Sequence, residues 1–531
     1  MTDNYFAFSS LFSGLSSMAP TLLLFCGAAL AIVLAKVVPE QKRVEILRLW
    51  TVALLLFSGW FELQTGFSHE LGAALLHDPF SRFFRLMSVG GFALLAIFIP
   101  TTSLSSSLSS MSSESSNATG ERRGMLELTY PIILLSAGGI CFLAAAYSLL
   151  TLFIGLELCS IPMYLYFRGS AYVTKSEGVS ETIVEASRSR FLRVFGYGLF
   201  SSLILLFGFA ILYGIGGALD LIQLRVNISI VFLTFKKLGP ALILAIALIT
   251  AGVTSKMGLA PFHLWLGESH SLRRSGALPL ALLSGLMSGI IALCRIFDNA
   301  LIAFSGDVMA PLDWAPALTA VITITMFLTA LVILKERSLR RILLWLAIAQ
   351  GGFALCGVIS TSSIGLSGAL LQTLFAILAL AMAMPLLEGL ESGAQIRETM
   401  VTDLTGLARR SPLAGGVLTL AFASLGALPF TAGFTARMDL FNSMLNTRQW
   451  WLFSLTAIVS LALLLTVIRL IWKMYRAPDS PADYSDMGLR VSMTPSMRVA
   501  AAITCVIILY AGISPVAIEE ITVQAVAVFG L

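Results

Sequence analysis

A chain of 531 residues in which 57% are hydrophobic and only 12% are charged does not fold as a water-soluble globule, because soluble domains carry roughly twice that charged fraction. The formal net charge of +5 comes from basic connecting loops, so we expect no nucleic-acid partner. The six cysteines lie singly in apolar runs, without the spacing of metal ligands or of a disulfide framework. Composition therefore predicts an all-α polytopic protein whose solvent is the lipid bilayer, with no metal site.

Apolar runs long enough to cross a bilayer recur along the whole chain. A helical span needs roughly 20 apolar residues. Only Tyr147 and Ser148 separate the fourth and fifth runs, and one long kinked helix there would leave about thirteen spans instead of about fourteen. The predicted spans 1–14 lie near 19–38, 50–68, 80–102, 130–148, 149–167, 191–214, 238–260, 277–298, 313–334, 339–360, 363–389, 413–435, 449–474 and 497–520.

Basic residues follow every odd-numbered span, as with Arg122 and Arg123 after span 3 and Lys335 after span 9. Even-numbered connections are poorer in basic residues, and Lys236 and Lys237 before span 7 belong to the main exception. Because positive charge marks the cytoplasmic side, both termini are predicted to lie outside. The regular alternation favours fourteen spans over thirteen.

The serine-rich segment 101–120 is predicted to be a flexible cytoplasmic loop.

Glu157 lies within span 5, in the apolar sequence TLFIGLELCSIPMYLY. An ionised group at the bilayer centre costs a few kcal/mol on insertion scales, roughly +2.5–3.5 for a charged residue, so its presence there indicates a function. We interpret Glu157 as a proton-carrying carboxylate. The alternative is a carboxylate near a helix end that reaches interfacial water.

Lys256 lies in ITAGVTSKMGLAPFHLW, where Gly258 and Pro261 predict that helix 7 is broken within the membrane. Broken helices at this depth are where transporters place ion sites. A desolvated lysine near a carboxylate can exchange its proton reversibly. The alternative is a lysine that extends along the helix to the interface.

His263 and His270 follow the break and are candidate proton carriers, although a solvated interfacial histidine is equally consistent with the sequence.

Residues 426–441, GALPFTAGFTARMDLF, repeat the combination of a Gly/Pro break and an intramembrane cation, here Arg437. Paired interrupted helices in two halves of a chain are typical of inverted-repeat transporters. Arginine keeps its proton, so Arg437 is predicted to act electrostatically or to pair with Asp439, and not to relay protons. The sequence therefore predicts two inverted repeats with broken helices 7 and 12.

These motifs resemble the antiporter-like proton-conducting subunits shared by respiratory complex I, the Mrp cation/proton antiporters and the membrane-bound energy-converting hydrogenases. The similarity covers about 78–475. LFIGLELCSIPMY is similar to the family's span-5 glutamate motif, and SKMGLAPFHLWLGESH to its span-7 lysine motif, which carries over Glu157, Lys256, His263 and His270. LLSGLMSGIIALCRIF, SLRRILLWLAIAQGG and DLTGLARRSP…LGALPFTAGF resemble spans 8, 10 and 12 with their preceding loops.

The resemblance implies four parts: 1–129, helices 1–3 with the serine-rich loop; 130–298, a first antiporter-like repeat with helices 4–8; 299–476, a second repeat with helices 9–13; and 477–531, a loop with helix 14. The chain departs from the family where other members carry titratable groups. These departures are Gly289 in span 8, Leu346, Ala347 and Gln350 in span 10, Gln372 in span 11 and Arg437 in span 12.

The family implies a proton-translocating subunit of a complex I-type, NADH:quinone oxidoreductase-like or related energy-converting complex. Its partners would be other membrane subunits and a peripheral redox module, in a bacterial inner membrane or an equivalent energy-transducing membrane. The chain would have no cofactor and no redox site of its own. Two alternatives remain: a degenerate, non-pumping scaffold subunit, and a subunit of Mrp-type cation/proton antiport or of ion uptake, in which Na⁺ could replace H⁺.

Overall fold

The computed structural model describes residues 2–71, 74–99, 116–176, 181–234, 239–270, 277–304, 313–393, 399–477 and 493–530. Within these ranges the chain is almost entirely helical, and a single antiparallel hairpin, β1 (Ser68–Leu71) and β2 (Leu75–His77), interrupts the helices. Residues 101–115 of the predicted serine-rich loop lie outside the described residues. Residues 116–120 begin a helix, so the prediction of a loop was wrong at this end.

The helices alternate with short connections along the chain. In chain order they are α1 (Thr2–Val37), α2 (Glu40–Gln64), α3 (Pro79–Phe98), α4 (Ser116–Ala145), α5 (Leu149–Ser176), α6 (Glu181–Gly216), α7 (Leu221–Thr234), α8 (Gly239–Met257), α9 (Leu264–His270), α10 (Ala277–Arg295), α11 (Ala315–Ile333), α12 (Leu339–Ile359), α13 (Ser363–Gly393), α14 (Leu407–Arg410), α15 (Pro412–Leu425), α16 (Ala432–Asn446), α17 (Trp450–Tyr475), α18 (Pro495–Ile513) and α19 (Val516–Val526).

Thirteen helices in the described ranges are long and apolar enough to cross a membrane. The remaining predicted span, number 12, is present as two shorter pieces, α15 and α16, separated by an irregular segment. Spans 4 and 5 are separate helices, because α4 ends at Ala145 and α5 begins at Leu149. The prediction of an all-α polytopic membrane protein is confirmed, and the alternative of one kinked helix at spans 4 and 5 is wrong.

Connections that the basic-residue pattern assigns to the same side of the membrane contact one another in the structure. The connections after spans 2, 4 and 6 form β-bridges with one another, Leu75 with Ala146 and Ser148 with Asp220. At the other end, Ser338 bridges Met400, which joins the connections after spans 9 and 11. We call the first cluster, with β1 and β2, the outer end, because the distribution of basic residues predicts that it faces outward.

The helices differ in how they meet lipid. Residues 346–359 of α12 are all buried, so this helix lies at the centre of the bundle. Helices α2 and α6 instead expose large apolar side chains such as Trp60 and Phe200. An apolar surface of this kind is stable against lipid tails. The site described below lies between α5, α6, α8 and α10, on the side of α6 that packs against α8.

Candidate functional site

Helix α8 ends at Met257, within the membrane-spanning region, because the next residues cannot continue it. Gly258 has a φ of +72°, a left-handed conformation that glycine adopts without steric cost. Pro261 further on lacks an amide hydrogen. The carbonyl groups at the end of the helix accept from other donors. The Leu259 amide donates to the Thr254 carbonyl oxygen at 3.0 Å, and Trp265 Nε1 donates to the Ser255 carbonyl oxygen at 2.9 Å. Lys256 thus lies in the last turn of a helix that stops inside the protein.

Lys256 and Glu157 form an ion pair, with Nζ to Oε1 at 3.0 Å. The same ammonium group donates to Ser160 Oγ at 3.2 Å and to Ser202 Oγ at 3.0 Å, so all three of its protons have acceptors. The Lys256 side chain is only 5% exposed, whereas the Glu157 side chain is 25% exposed. Lys256 therefore does not extend to the surface, and its charge is stabilised by α5 and α6.

Helices α5 and α6 approach α8 closely enough to build this pair because small residues line their contact. A Cβ atom at Gly252 of α8 would lie 2.8 Å from Leu205 Cβ of α6. Ser201 Oγ donates to the Gly252 carbonyl oxygen at 2.8 Å, which fixes α6 on α8. Ser160 lies three residues after Glu157 on α5 and so faces the same side of that helix.

A cavity of about 20 Å³ adjoins Lys256, which is room for about one water molecule. Its wall combines apolar side chains with several hydroxyl groups, and a water bound there would have several hydrogen-bond partners. The cavity extends from Lys256 towards α10. The hydroxyl residues that line it include Ser160, Tyr164, Ser201, Ser255, Ser284 and Ser288.

An apolar layer separates this cavity from the second half of the molecule. A Cβ atom at Gly289 would lie 1.9 Å from Met257 Cγ, so the Met257 side chain occupies the space that a side chain at position 289 would need. A Cβ atom at Gly351 of α12 would lie 2.9 Å from Leu259 Cδ2 and 3.4 Å from Leu286 Cδ1. Apolar side chains thus fill the volume around Gly289.

Arg437 on α16 is fully buried and is held by neutral groups. Its guanidinium donates to Gln350 Oε1 at 3.1 Å and to Ser460 Oγ at 3.2 Å, and it lies 3.8 Å from the centre of the Phe353 ring. Gln350 in turn accepts from Gln372 and donates to the Leu425 carbonyl oxygen at 3.0 Å, where α15 ends. Among the described residues Arg437 makes no ion pair, so the predicted pairing with Asp439 is absent.

The two predicted histidines lie apart from the ion pair. His263 follows the break, and its ring centre is 5.2 Å from that of Trp345 on α12. It is not among the residues that line the cavity beside Lys256. His270 ends α9, and its side chain lies outside the described residues. The structure thus brings together Glu157 and Lys256, and it places His263 and Arg437 elsewhere.

The sequence alone did not identify Ser160 and Ser202 as partners of Lys256. Ser160 could have been found from its helical spacing to Glu157. Ser202 could not, because its proximity depends on how α6 packs against α8. The Gln350 and Gln372 side chains were noted as replacements for titratable residues, but their hydrogen bonds to each other and to Arg437 are visible only in the folded chain.

A polytopic bundle with two interrupted spans and a lysine–glutamate ion pair beside the first interruption defines an antiporter-like membrane subunit. The sequence pattern of the NADH:quinone oxidoreductase/Mrp antiporter, TM family matches residues 146–464, and the chain belongs to this family. It is 26% identical over 486 residues to NADH-quinone oxidoreductase subunit N of Salinispora arenicola, covering 88% of this chain and 90% of that protein.

Two solved structures share the fold. A chain of the Mrp complex from Dietzia sp. aligns with a TM-score of 0.73 at 20% identity, over 97% of this chain and 98% of that chain. A chain of respiratory complex I from Thermus thermophilus aligns with a TM-score of 0.68 at 21% identity, over 94% of this chain and 98% of that chain. The prediction of the family is therefore confirmed, and the chain is a multi-pass integral membrane protein.

Proposed function

We propose that the chain is a proton-translocating subunit of a complex I-type or related energy-converting membrane complex, in which Glu157 and Lys256 carry the proton. The observation that carries the proposal is the ion pair between the buried Lys256 and the partly exposed Glu157, beside a cavity that contains several hydroxyl groups. The likeness to proteins named as subunits of NADH-quinone oxidoreductase supports other membrane subunits and a peripheral redox module as partners. Nothing in the proposed step requires a cofactor on this chain.

The pair can couple a change in charge to the movement of a proton. While Glu157 is ionised, its charge stabilises the ammonium form of Lys256. If Glu157 is protonated or moves away, Lys256 loses its counter-charge inside a low-dielectric site and releases its proton more readily. A water molecule in the adjacent cavity would accept that proton, and the serine hydroxyl groups would orient it. Reforming the pair returns the lysine to its charged form.

Replacing Lys256 with Met in the assembled complex tests this function. We expect Lys256→Met to abolish this subunit's share of proton pumping while redox turnover partly persists, because the variant keeps the volume of the side chain and loses its proton. The measurement is the number of protons moved per electron pair in reconstituted vesicles. Lys335→Met, at an exposed position outside the spans, is the matched control and should pump normally.

An unchanged proton stoichiometry in Lys256→Met would contradict the proposal and favour a second candidate, a scaffold subunit with a static ion pair. The apolar layer at Met257 and Gly289 is the observation that supports this candidate. A scaffold would respond to Lys256→Met by weaker assembly alone, because the variant leaves the partly exposed Glu157 carboxylate without its counter-charge. Measuring the yield of intact complex beside the stoichiometry separates the two.

A further inference from the structure

Outside the Lys256 site, Asp298 is the carboxyl group whose environment most needs explanation. It is 0% exposed, and neither of its oxygens has a hydrogen-bond partner among the described residues. Other buried carboxylates have a cation: Arg85 lies 3.3 Å from Glu62, and Arg340 contacts Glu391. Asp298 has no such partner within the described chain.

An isolated carboxylate in this position would be far too costly, because removing an ion from water costs several kcal/mol or more unless a counter-charge or hydrogen bonds replace the water. The neutral acid avoids most of this cost. The burial of Asp298, and the absence of a partner among the described residues, therefore favour the neutral, protonated form in the resting protein.

The backbone at Asp298 is also unusual. Helix α10 ends at Arg295 and continues as one π-helical turn, Ile296–Ala300, which contains Asp298. Short π-helical turns within α-helices occur frequently at functional sites. This turn lies at the outer end, where Asn299 donates to the Tyr147 hydroxyl at 3.0 Å and so contacts the connection between α4 and α5.

Arg295, three residues before Asp298, is the nearest cation along the chain, and it is engaged by a different carboxylate. Its guanidinium donates to both oxygens of Asp78, at 2.7 and 2.9 Å, and to the Ala144 carbonyl oxygen at 2.9 Å. Arg295 Nε is buried and has no partner, so one donor remains unused. Helix α7 also packs on the π turn, but its charged residue, Arg225, is exposed.

We propose that Asp298 is a proton-binding site at the outer end, and that Arg295 exchanges between Asp78 and Asp298. At rest Asp298 is the neutral acid and Asp78 is the carboxylate paired with Arg295. In the exchange the Asp298 O–H bond breaks, its proton binds to Asp78, and the guanidinium moves to the new carboxylate at Asp298. The total charge does not change. The proton thereby moves from Asp298, which is fully buried, to Asp78, the residue immediately before α3, which is 6% exposed and adjoins the outer connection after span 2.

The site itself does not depend on protons carried by Lys256, although its use in translocation rests on the proposed function. Infrared spectroscopy of the intact purified complex tests the site, because a protonated carboxylic acid has a carbonyl stretch that shifts in heavy water. We expect this band to be lost in Asp298→Asn relative to the native complex. It should persist in Asp403→Asn, a control aspartate at the opposite end, where its side chain accepts from the Met400 amide. It should also persist in Lys256→Met, whatever the pumping activity of that variant.

A second variant tests the exchange. Asp78→Asn removes the resting partner of Arg295, so Asp298 should ionise and the acid band should again be lost. An acid band that is unchanged in Asp298→Asn would overturn the proton site. A band that is retained in Asp78→Asn would overturn the exchange, because Asp298 would then be neutral wherever Arg295 lies. If Asp298→Asn fails to assemble, native complex with ¹³C-labelled aspartate carboxyl groups provides the same readout, and the absence of an isotope-shifted acid band would overturn the proposal.

Discussion

At the scale of single residues, the volume around Gly289 determines what α10 can contribute. The family resemblance implies a titratable residue at this position, but a first side-chain carbon there would lie 1.9 Å from Met257 Cγ. The missing titratable residue and the methionine are therefore two parts of one packing arrangement. A proton that leaves the cavity beside Lys256 towards Gln350 would have to cross this apolar layer.

We expect Gly289→Ala to destabilise the protein by about 1–3 kcal/mol through overpacking against Met257. Met257→Ala should also destabilise, by about 2–5 kcal/mol, because it leaves a cavity. The double variant should lose less stability than the sum of the two single losses, with a coupling energy of about 0.5–3 kcal/mol. The reason is that the alanine methyl group at position 289 occupies part of the space that Met257→Ala leaves empty. Thermal unfolding in detergent measures all three. Gly389→Ala on α13, where a Cβ atom meets open space, is the control, and strict additivity of the pair would contradict the close contact.

At the scale of helices, the interruption after Met257 is the element that the sequence predicted best. Glycine and proline at fixed spacing, next to a charge in an apolar run, locate both the break and Lys256. Asp298 escaped notice for a physical reason: it lies at the end of the predicted span 277–298, where a charged residue is expected to meet water. Only the packing of α7 and the outer connections over the π turn shows that it is buried.

Gly258→Ala should destabilise the broken helix by about 1–3 kcal/mol, because a residue with a Cβ atom is strained at this positive φ. The new atom would also lie 2.3 Å from Leu266 Cδ1. Gly267→Ala, one turn into α9 and with no neighbour within 4 Å, is the matched control and should be neutral or slightly stabilising. Equal melting temperatures for the two variants would show that the interruption does not need glycine.

At the scale of the whole molecule, the alternation of basic residues predicted which connections meet. The backbone bridges at the two ends agree with it, and the distribution of basic residues predicts that the end with Ser338 and Met400 faces the cytoplasm. The fourteen-span topology could be predicted because each span carries its own apolar signal. The pairing of Lys256 with Ser202, or of Arg295 with Asp78, could not, because it depends on contacts between helices far apart in sequence.

Cysteine labelling tests the predicted orientation. In a background with Cys26 and Cys505 changed to serine, Leu219→Cys at the outer end should react with a membrane-impermeant maleimide added to intact cells. Lys335→Cys should react only after the membrane is opened, because the connection after span 9 is predicted to be cytoplasmic. Both positions are exposed in the structure, so a difference in their labelling reports the side of the membrane on which each one lies. The opposite pattern would show that the orientation is inverted.

The complete burial of residues 346–359 in α12 has a consequence for how the protein is made. During synthesis this helix is inserted as one more apolar segment, and lipid is its first solvent. In the finished bundle it touches no lipid along that stretch, so the lipid molecules around it must leave as later helices arrive. Helices α13 to α17 are synthesised after it, and α12 therefore cannot reach its final surroundings until the C-terminal third of the chain has entered the membrane.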